Sequence, residues 1–293
     1  MNGARRAERR LAWWLCAPAV TAMLAVSAVP ILYAVWLSLF RYDLRFPDER
    51  SFVGLANYAA VLTSGIWWHS LANTLIVTVA SVAVELVLGF ALALVMHRAT
   101  IGRRVVRAAI LVPYAIITVV AALAWKFAFD PTTGFVNALL GLEQAWFAQR
   151  ASAFFVIIST EIWKTTPFMA LLLLAGLTLV PRHLLDAARV DGANAIQRFF
   201  RVTLPLMKPA IMVALLFRTL DAFRIFDTVF VQTRGAQGTE TVSMVGYNAL
   251  IMRLNLGLGS AVSVLIFVCV VAIAWLYIKG FGLSLTSREE ERP

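Results

Sequence analysis

Six stretches of this chain are too long and too apolar to be strands or core helices of a water-soluble domain. Leu11–Phe40, Ser70–Met96, Ala108–Phe129, Ala153–Val180, Pro209–Val231 and Ser260–Gly280 each supply the ~20 mostly apolar residues that a helix needs to cross a bilayer. A run of this kind satisfies its own backbone hydrogen bonds as an α-helix. Only 14% of the 293 residues are charged, against ~25% in an ordinary soluble domain. A disordered chain and a cytosolic enzyme are thereby excluded. The first run follows Arg5, Arg6, Arg9 and Arg10 and has the look of a secretory signal. Its 30 uncharged residues far exceed a signal core of ~7–15. We read it as a retained helix bent near Pro18 or Pro30. Cys16 and Cys269 lie inside apolar runs, so neither a disulfide framework nor a zinc site is expected.

Six spans place both termini on one side, and the basic residues choose that side. The N-terminal segment, His97–Arg107, Pro181–Lys208 and Lys279–Pro293 hold 16 Lys and Arg, and the other three connections hold 6. The expected plan is therefore a cytoplasmic tail over 1–10, a membrane domain over 11–280 and a second cytoplasmic tail over 281–293. The net charge of +10 reads as topology and contact with anionic membrane lipid, not nucleic acid. Trp13, Trp14, Trp67, Trp68, Trp125 and Trp146 fall near the interfaces, where amphipathic rings belong. No glycine-rich linker or repeat divides the chain, and residues 52–62 read as a short interfacial helix.

Chemistry of its own is hard to find. No G-x-x-x-x-G-K-[ST] sequence occurs, and none of the four lysines follows a glycine, so a phosphate-binding P-loop is absent. His69, His97 and His183 are scattered near span ends, which favours interfacial histidines over a metal site. Nothing matches a nucleophilic serine motif. We expect no catalytic residues, no metal and no bound cofactor. If ATP drives this chain, another polypeptide hydrolyses it.

The connection Pro181–Lys208 carries the most specific pattern. Leu184, Leu185, Ala188 and Val190 give a short helix an apolar side, with Asp186, Arg189 and Asp191 supplying charge. Gly192 is placed to cap it, and Pro205 to stop the segment that follows. Helices of this kind either lie on lipid or dock onto a cytosolic partner. Asp186-Ala187-Ala188, then Gly192, nine residues, and Val202-x-Leu204-Pro205 resembles the EAA loop of binding-protein-dependent ABC importer permeases. Asp186 stands where glutamate is usual. Phe52-Val-Gly-Leu-Ala-Asn-Tyr58, Asn73-Thr74, Trp163-x-x-x-Pro167-Phe168 and Phe226-Asp227 are similar to the maltose-type carbohydrate-uptake branch, trehalose systems of actinobacteria included. Thr233-Arg-Gly-Ala-Gln-Gly-Thr239 departs from the Thr-x-Gly-Gly-Pro run of that branch.

The resemblance implies an all-α integral membrane protein with six transmembrane helices and the core of a type I ABC importer permease. It implies a multi-pass protein of the bacterial plasma (inner) membrane that moves a di- or oligosaccharide inward. The implied partners are a second permease chain, two cytosolic ABC ATPase subunits that bind the ATP, and an extracytoplasmic sugar-binding protein. Leu185, Asp186, Ala187, Ala188, Arg189, Val190, Asp191 and Gly192 would form the coupling element gripped by the ATPase.

Charges inside the spans mark the remaining site. By the ~1.5 Å helical rise, Glu161 and Lys164 lie roughly 12–16 Å from one end of span four, and Arg218 and Asp221 roughly 13–18 Å from the opposite end of span five. Each i,i+3 pair can neutralise itself. Such pairs either hold helices together or line a polar cavity. In the second case Glu161, Lys164, Thr165, Arg218 and Asp221 would bond sugar hydroxyls, with Phe168 stacking on a sugar face. Glu85 alone reads as a helix-packing hydrogen-bonder, with Gly89 and Ala93 permitting close approach. The rival class is a proton-coupled secondary transporter in which Glu85, Glu161 or Asp221 titrates.

Overall fold

The computed structural model describes residues 2–99 and 102–280; the expected tail 281–293 lies outside them. In chain order the helices are α1 (Asn2–Ser38), α2 (Ala56–Leu62), α3 (Gly65–Arg98), α4 (Arg103–Ala115), α5 (Thr118–Ala128), α6 (Phe135–Leu140), α7 (Arg150–Thr178), α8 (Arg182–Val190), α9 (Ala195–Arg198), α10 (Leu204–Leu206), α11 (Lys208–Ala222), α12 (Asp227–Gln232), α13 (Val242–Tyr247) and α14 (Leu256–Gly280). Among the described residues four helices are long and apolar enough to cross a membrane, and two bent pairs raise the number to six where each pair is one span. α1 runs unbroken through Pro18 and Pro30.

The single-helix reading fails in span three, at the first bent pair, and in span five, where residues 223–226 leave the helix; the second bent pair breaks ahead of span five. α4 and α5 meet at 85°, because Ile116 and Ile117 leave helical dihedrals after Pro113. The second pair turns by 70° at Met207, not at Pro205 as expected. Pro205 is accommodated because the preceding turn, Phe199–Thr203, widens to a π-helix. There Leu204 donates its N–H to Phe199, five residues back, which relieves the usual clash of a helical proline with the turn before it.

One compact unit comprises the chain up to Trp67 together with Val245–Val268. Its short connections are tied by side chains. Asn57 Nδ2 donates to the carbonyls of Ser38 and Phe40 at 2.7 and 2.9 Å. Strands β1 (Phe40–Arg41) and β2 (Ser51–Phe52) pair antiparallel. A side chain at Gly257 would collide with the Phe40 carbonyl, so that position is held to glycine by contact. The Arg50 guanidinium sits 4.3, 4.7 and 5.0 Å from the ring centroids of Trp36, Phe40 and Tyr42.

The other unit comprises Trp68–Met244 and the chain from Cys269 onward. Its helix α3 is an inverted amphipathic helix. Ser70, Thr74, Thr78, Ser81 and Glu85, spaced by three or four residues, are all buried, whereas Ile76, Val79, Val84, Val87 and Leu88 are exposed. In water that arrangement would be unstable; in hydrocarbon the polar stripe must face protein. A core of Met96, Met169, Ala170, Leu173, Leu177 and Met207 closes the unit. α3 and α7 approach at Gly89, where an added Cβ would lie 2.8 Å from Met169 Cγ. Ala93 is fully buried one turn further along.

Candidate functional site

α3, α7 and α11 converge on one arginine. Arg218 is wholly buried, and its Nε and Nη2 lie 2.5 and 3.0 Å from the two carboxylate oxygens of Glu85. Nη2 also reaches Glu161 Oε2 at 3.3 Å, and Nη1 reaches Asp221 Oδ2 at 2.8 Å. Four of the five guanidinium N–H groups are thereby directed at carboxylates. Thr165 Oγ1 lies 2.8 Å from Glu85 Oε1 and 2.6 Å from the Glu161 carbonyl, sharing one hydrogen between them. Thr228, on α12, donates its hydroxyl to the other Glu161 oxygen. A buried charge persists only when paired and hydrogen-bonded, and this cluster satisfies both conditions.

The expected pairing is half corrected. Arg218 and Asp221 do pair, but Glu161 turns to Arg218 and Thr228 and makes no ion pair with Lys164. Instead the Lys164 ammonium lies 5.5 Å from the centre of the Tyr114 ring. Glu85, read as a lone packing residue, is the principal partner of the cluster.

Beside this cluster opens a cavity of about 440 Å³. Its wall includes Glu161, Lys164, Thr165 and Asp221, four of the residues expected to line a pathway. Arg218 lies behind the wall, fully shielded, while the Asp221 side chain is 64% exposed. Phe168 also lies behind it, stacked on Tyr114 with centroids 5.3 Å apart and planes within 14°; Tyr114 supplies the aromatic surface. Arg224, Phe226 and Asp227 reach the cavity because the helix is interrupted over residues 223–226, between α11 and α12. Irregular backbone inside a membrane is tolerated where it lines such a space. Thr118 and Thr228 complete the polar lining. Sequence reasoning passed over Tyr114, Thr118 and Thr228; the available signal was a proline-led break beside a tyrosine whose hydroxyl needs a polar neighbour.

At the other site, α8 ends in a complete Schellman motif. Gly192 adopts φ +79°, its N–H donates to Arg189, and Ala193 donates to Ala188. Nothing lies within 4 Å of a Cβ built there, so glycine is required by conformation and not by space. Asn194 and Gln197 then form a reciprocal capping box. Asp186 and Arg189 pair at 3.1 Å on the surface. Leu185 and Ala188 are half-buried, whereas Leu184, Ala187, Val190 and Asp191 are exposed. The exposed apolar residues of α8 are therefore Leu184, Ala187 and Val190.

Residues 85–278, more than half of the chain, match the family described as the binding-protein-dependent transport system inner membrane component. The chain belongs to that family. The inner membrane components of this family are multi-pass transport subunits, and membership sets aside a proton-coupled carrier of another class. The chain is 54% identical over 288 residues to the trehalose transport system permease protein SugA of Mycobacterium tuberculosis, covering 98% of this chain and 94% of that one. It is 39% identical to the trehalose/maltose transport system permease protein MalF of Thermococcus litoralis, over 93% of this chain and 94% of the other. Among solved structures, a bacterial alginate ABC transporter in complex with an alginate pentasaccharide-bound periplasmic protein contains a chain of the same fold. That match has a TM-score of 0.79 at 21% identity and covers 93% of this chain and 94% of that one.

Proposed function

We propose that this permease passes a trehalose- or maltose-type disaccharide through the cavity bounded by Glu161, Lys164, Thr165, Asp221, Arg224 and Asp227. The observation that carries the reading is the wall itself, which mixes three carboxylates, two cations, threonine hydroxyls and the Tyr114 and Phe226 rings. Sugars present hydroxyls that donate and accept on their edges and C–H groups on their faces. A volume of about 440 Å³ falls within the ~300–1,000 Å³ usual for small-ligand sites. The two relatives named for trehalose and maltose support the disaccharide. Arg218, Glu85 and Phe168 act from behind, holding the lining residues in position.

In this reading the chain assembles with a second permease, two cytosolic ATPase subunits and an extracytoplasmic sugar-binding protein. The Leu184–Ala187–Val190 strip on α8 receives the ATPase, with Leu185, Asp186, Ala188, Arg189, Asp191 and Gly192 shaping and capping the helix. None of the most apolar stretch of α1 is buried, which supports lipid and the second permease as its neighbours.

The test uses Arg224→Gln and Asp227→Asn, because neither residue carries an ion pair and truncation strands no partner. Each lost hydrogen bond is expected to weaken the interaction by ~0.5–1.5 kcal/mol. Uptake of trehalose by the assembled transporter in proteoliposomes should then show KM raised roughly two- to twelvefold, with basal ATP hydrolysis unchanged. Unaltered KM in both variants overturns the assignment of this cavity.

A further inference from the structure

A second cavity, of about 450 Å³, lies where the ends of α3 and α7 meet α4, α8 and α9. Its lining holds five arginines, Arg98, Arg107, Arg182, Arg189 and Arg198, together with His97. Among the described residues, the one carboxylate within ion-pair distance of these arginines is Asp186, on Arg189. Arg198 is half-buried and donates from Nη1 to the Ala193 carbonyl at 2.6 Å, which fixes its fork and leaves other N–H groups free. Leu94, Leu177, Val180 and Phe199 give the same lining an apolar share. The cavity is lined by both guanidinium groups and apolar side chains, at the ends of α3 and α7.

The positive-inside rule accounts for basic residues on this side of the membrane, but not for their convergence on one concavity. Like charges gathered around one space repel unless an anion enters it. Guanidinium forks match phosphate oxygens in pairs, and basic pockets between helices on the cytoplasmic side suit phospholipid headgroups. Coupling through α8 leaves the pocket open. At 3.6 residues per turn, Arg182, Leu185 and Arg189 share one side of α8, and the exposed Leu184, Ala187 and Asp191 occupy the opposite side.

We propose that this cavity binds the phosphate of an anionic ligand at the cytoplasmic leaflet, with the arginines holding the phosphate and the apolar lining residues receiving what is attached to it. Two sources share that chemistry, an anionic phospholipid and a soluble phosphate ester. The inference does not depend on which sugar is carried or on where it passes.

The experiment takes the assembled transporter, delipidated in detergent, and measures retention of phosphatidylglycerol against phosphatidylcholine by native mass spectrometry. Wild type should retain phosphatidylglycerol saturably and release phosphatidylcholine. The triple variant Arg98→Gln, Arg182→Gln, Arg198→Gln should bind phosphatidylglycerol at least tenfold more weakly while keeping its ATPase subunits. A control with Arg41→Gln and Arg253→Gln, which removes charge from the other side, should bind as wild type does. Competition by soluble glycerol phosphate at millimolar concentration assigns the site to a soluble ester, and resistance to it assigns the site to lipid; both outcomes support phosphate binding. Equal retention of the two lipids, or equal loss in the control, overturns it. Detachment of the ATPase from the triple variant with lipid retention intact also overturns it, because the arginines would then be matching acidic protein surface.

Discussion

The two charged regions of the helical unit solve opposite problems. Around Arg218, one guanidinium is shared by Glu85, Glu161 and Asp221, so each of these charges finds its partner within the chain. Around the α8 cavity, five arginines meet one surface carboxylate among the described residues. The difference follows from solvent. Within the spans a buried unpaired charge costs several kcal/mol, so Glu85 and Glu161 find their cation on another helix, while Lys164, Arg224 and Asp227, which carry no ion pair among the described residues, border the cavity. At the cytoplasmic edge water screens each arginine, and the charge can be left for something outside the chain. Self-paired charge organises a site, whereas unpaired charge at an edge is available to partners.

Arg218→Gln should break this contrast most sharply. It strands Glu85 and Glu161 against each other, and loss of one member of a buried network is expected to cost ~3–5 kcal/mol. Thermal unfolding of the purified chain in detergent should show a large fall in Tm, while Arg107→Gln leaves Tm unchanged. Equal shifts for the two would mean that burial does not distinguish the regions.

Next in size is α8, the proposed coupling helix. Val190 is 88% exposed, and placing an aliphatic side chain of this size in a partner's groove is worth ~1.5 kcal/mol. Val190→Ser should therefore weaken association with the ATPase about tenfold, measured by titration of the purified subunits. Leu185→Ser, on the half-buried side, should instead lower the stability of the permease. Gly192→Val should keep the ATPase bound but reduce uptake per ATP, because φ +79° is strained for a β-branched residue by ~1–2 kcal/mol. An unchanged ratio of uptake to hydrolysis removes the capped end of α8 from coupling.

Much of this was legible in the chain, and the reasons are physical. Span number follows from apolar length, which the bilayer imposes on any sequence. The end of α8 was legible because a left-handed cap has few chemical solutions, and Gly192 is one. The bends were harder. Pro113 sits near one break, but Pro205 passes through a widened turn and the chain yields two residues later, at Met207. Helical proline gives two outcomes, and the choice between them depends on packing around the turn. The partners of Arg218 were harder still. Periodicity places Glu161 and Lys164 on one face, but it cannot rank that local neighbour against Arg218 or the Thr228 hydroxyl, which lie 57 and 67 residues away in sequence. The polar stripe from Ser70 to Glu85 held the missing signal, since its period marks Glu85 as inward-facing.

Thr228→Val sharpens the mid-membrane side of the comparison at lower cost. It removes one of the two groups that hold Glu161 in place, and a single hydrogen bond is worth ~1 kcal/mol. A modest fall in Tm with a raised KM for uptake is expected. A fall in Tm alone would make Thr228 a packing residue.

The smallest effect belongs to Asp43 and Arg45, an ion pair at the surface of the other unit. Arg45 Nη2 lies 2.6 Å from Asp43 Oδ2, and the Arg45 amide donates to Oδ1 at 2.9 Å. The arginine's side-chain hydrogen bonds, then its backbone N–H, hold this carboxylate down at about 2, against an ordinary 3.8. A depressed carboxylate stabilises the folded form above its unfolded pKa, and that contribution fades as pH falls from 3.8 through 2. The Arg45 side chain is open to water, so the pair's effect on global stability is expected to be slight. Titration of a selectively labelled Asp43 carboxyl in the full chain should therefore show a midpoint near 2, with Tm changing little across that window. Arg45→Gln should return the midpoint toward 3.8 and leave Tm above pH 5 unaltered. A large loss of Tm in that variant would mean that this exposed pair behaves like the Arg218 cluster, and that solvent exposure is not what separates charge that organises the fold from charge that merely decorates it.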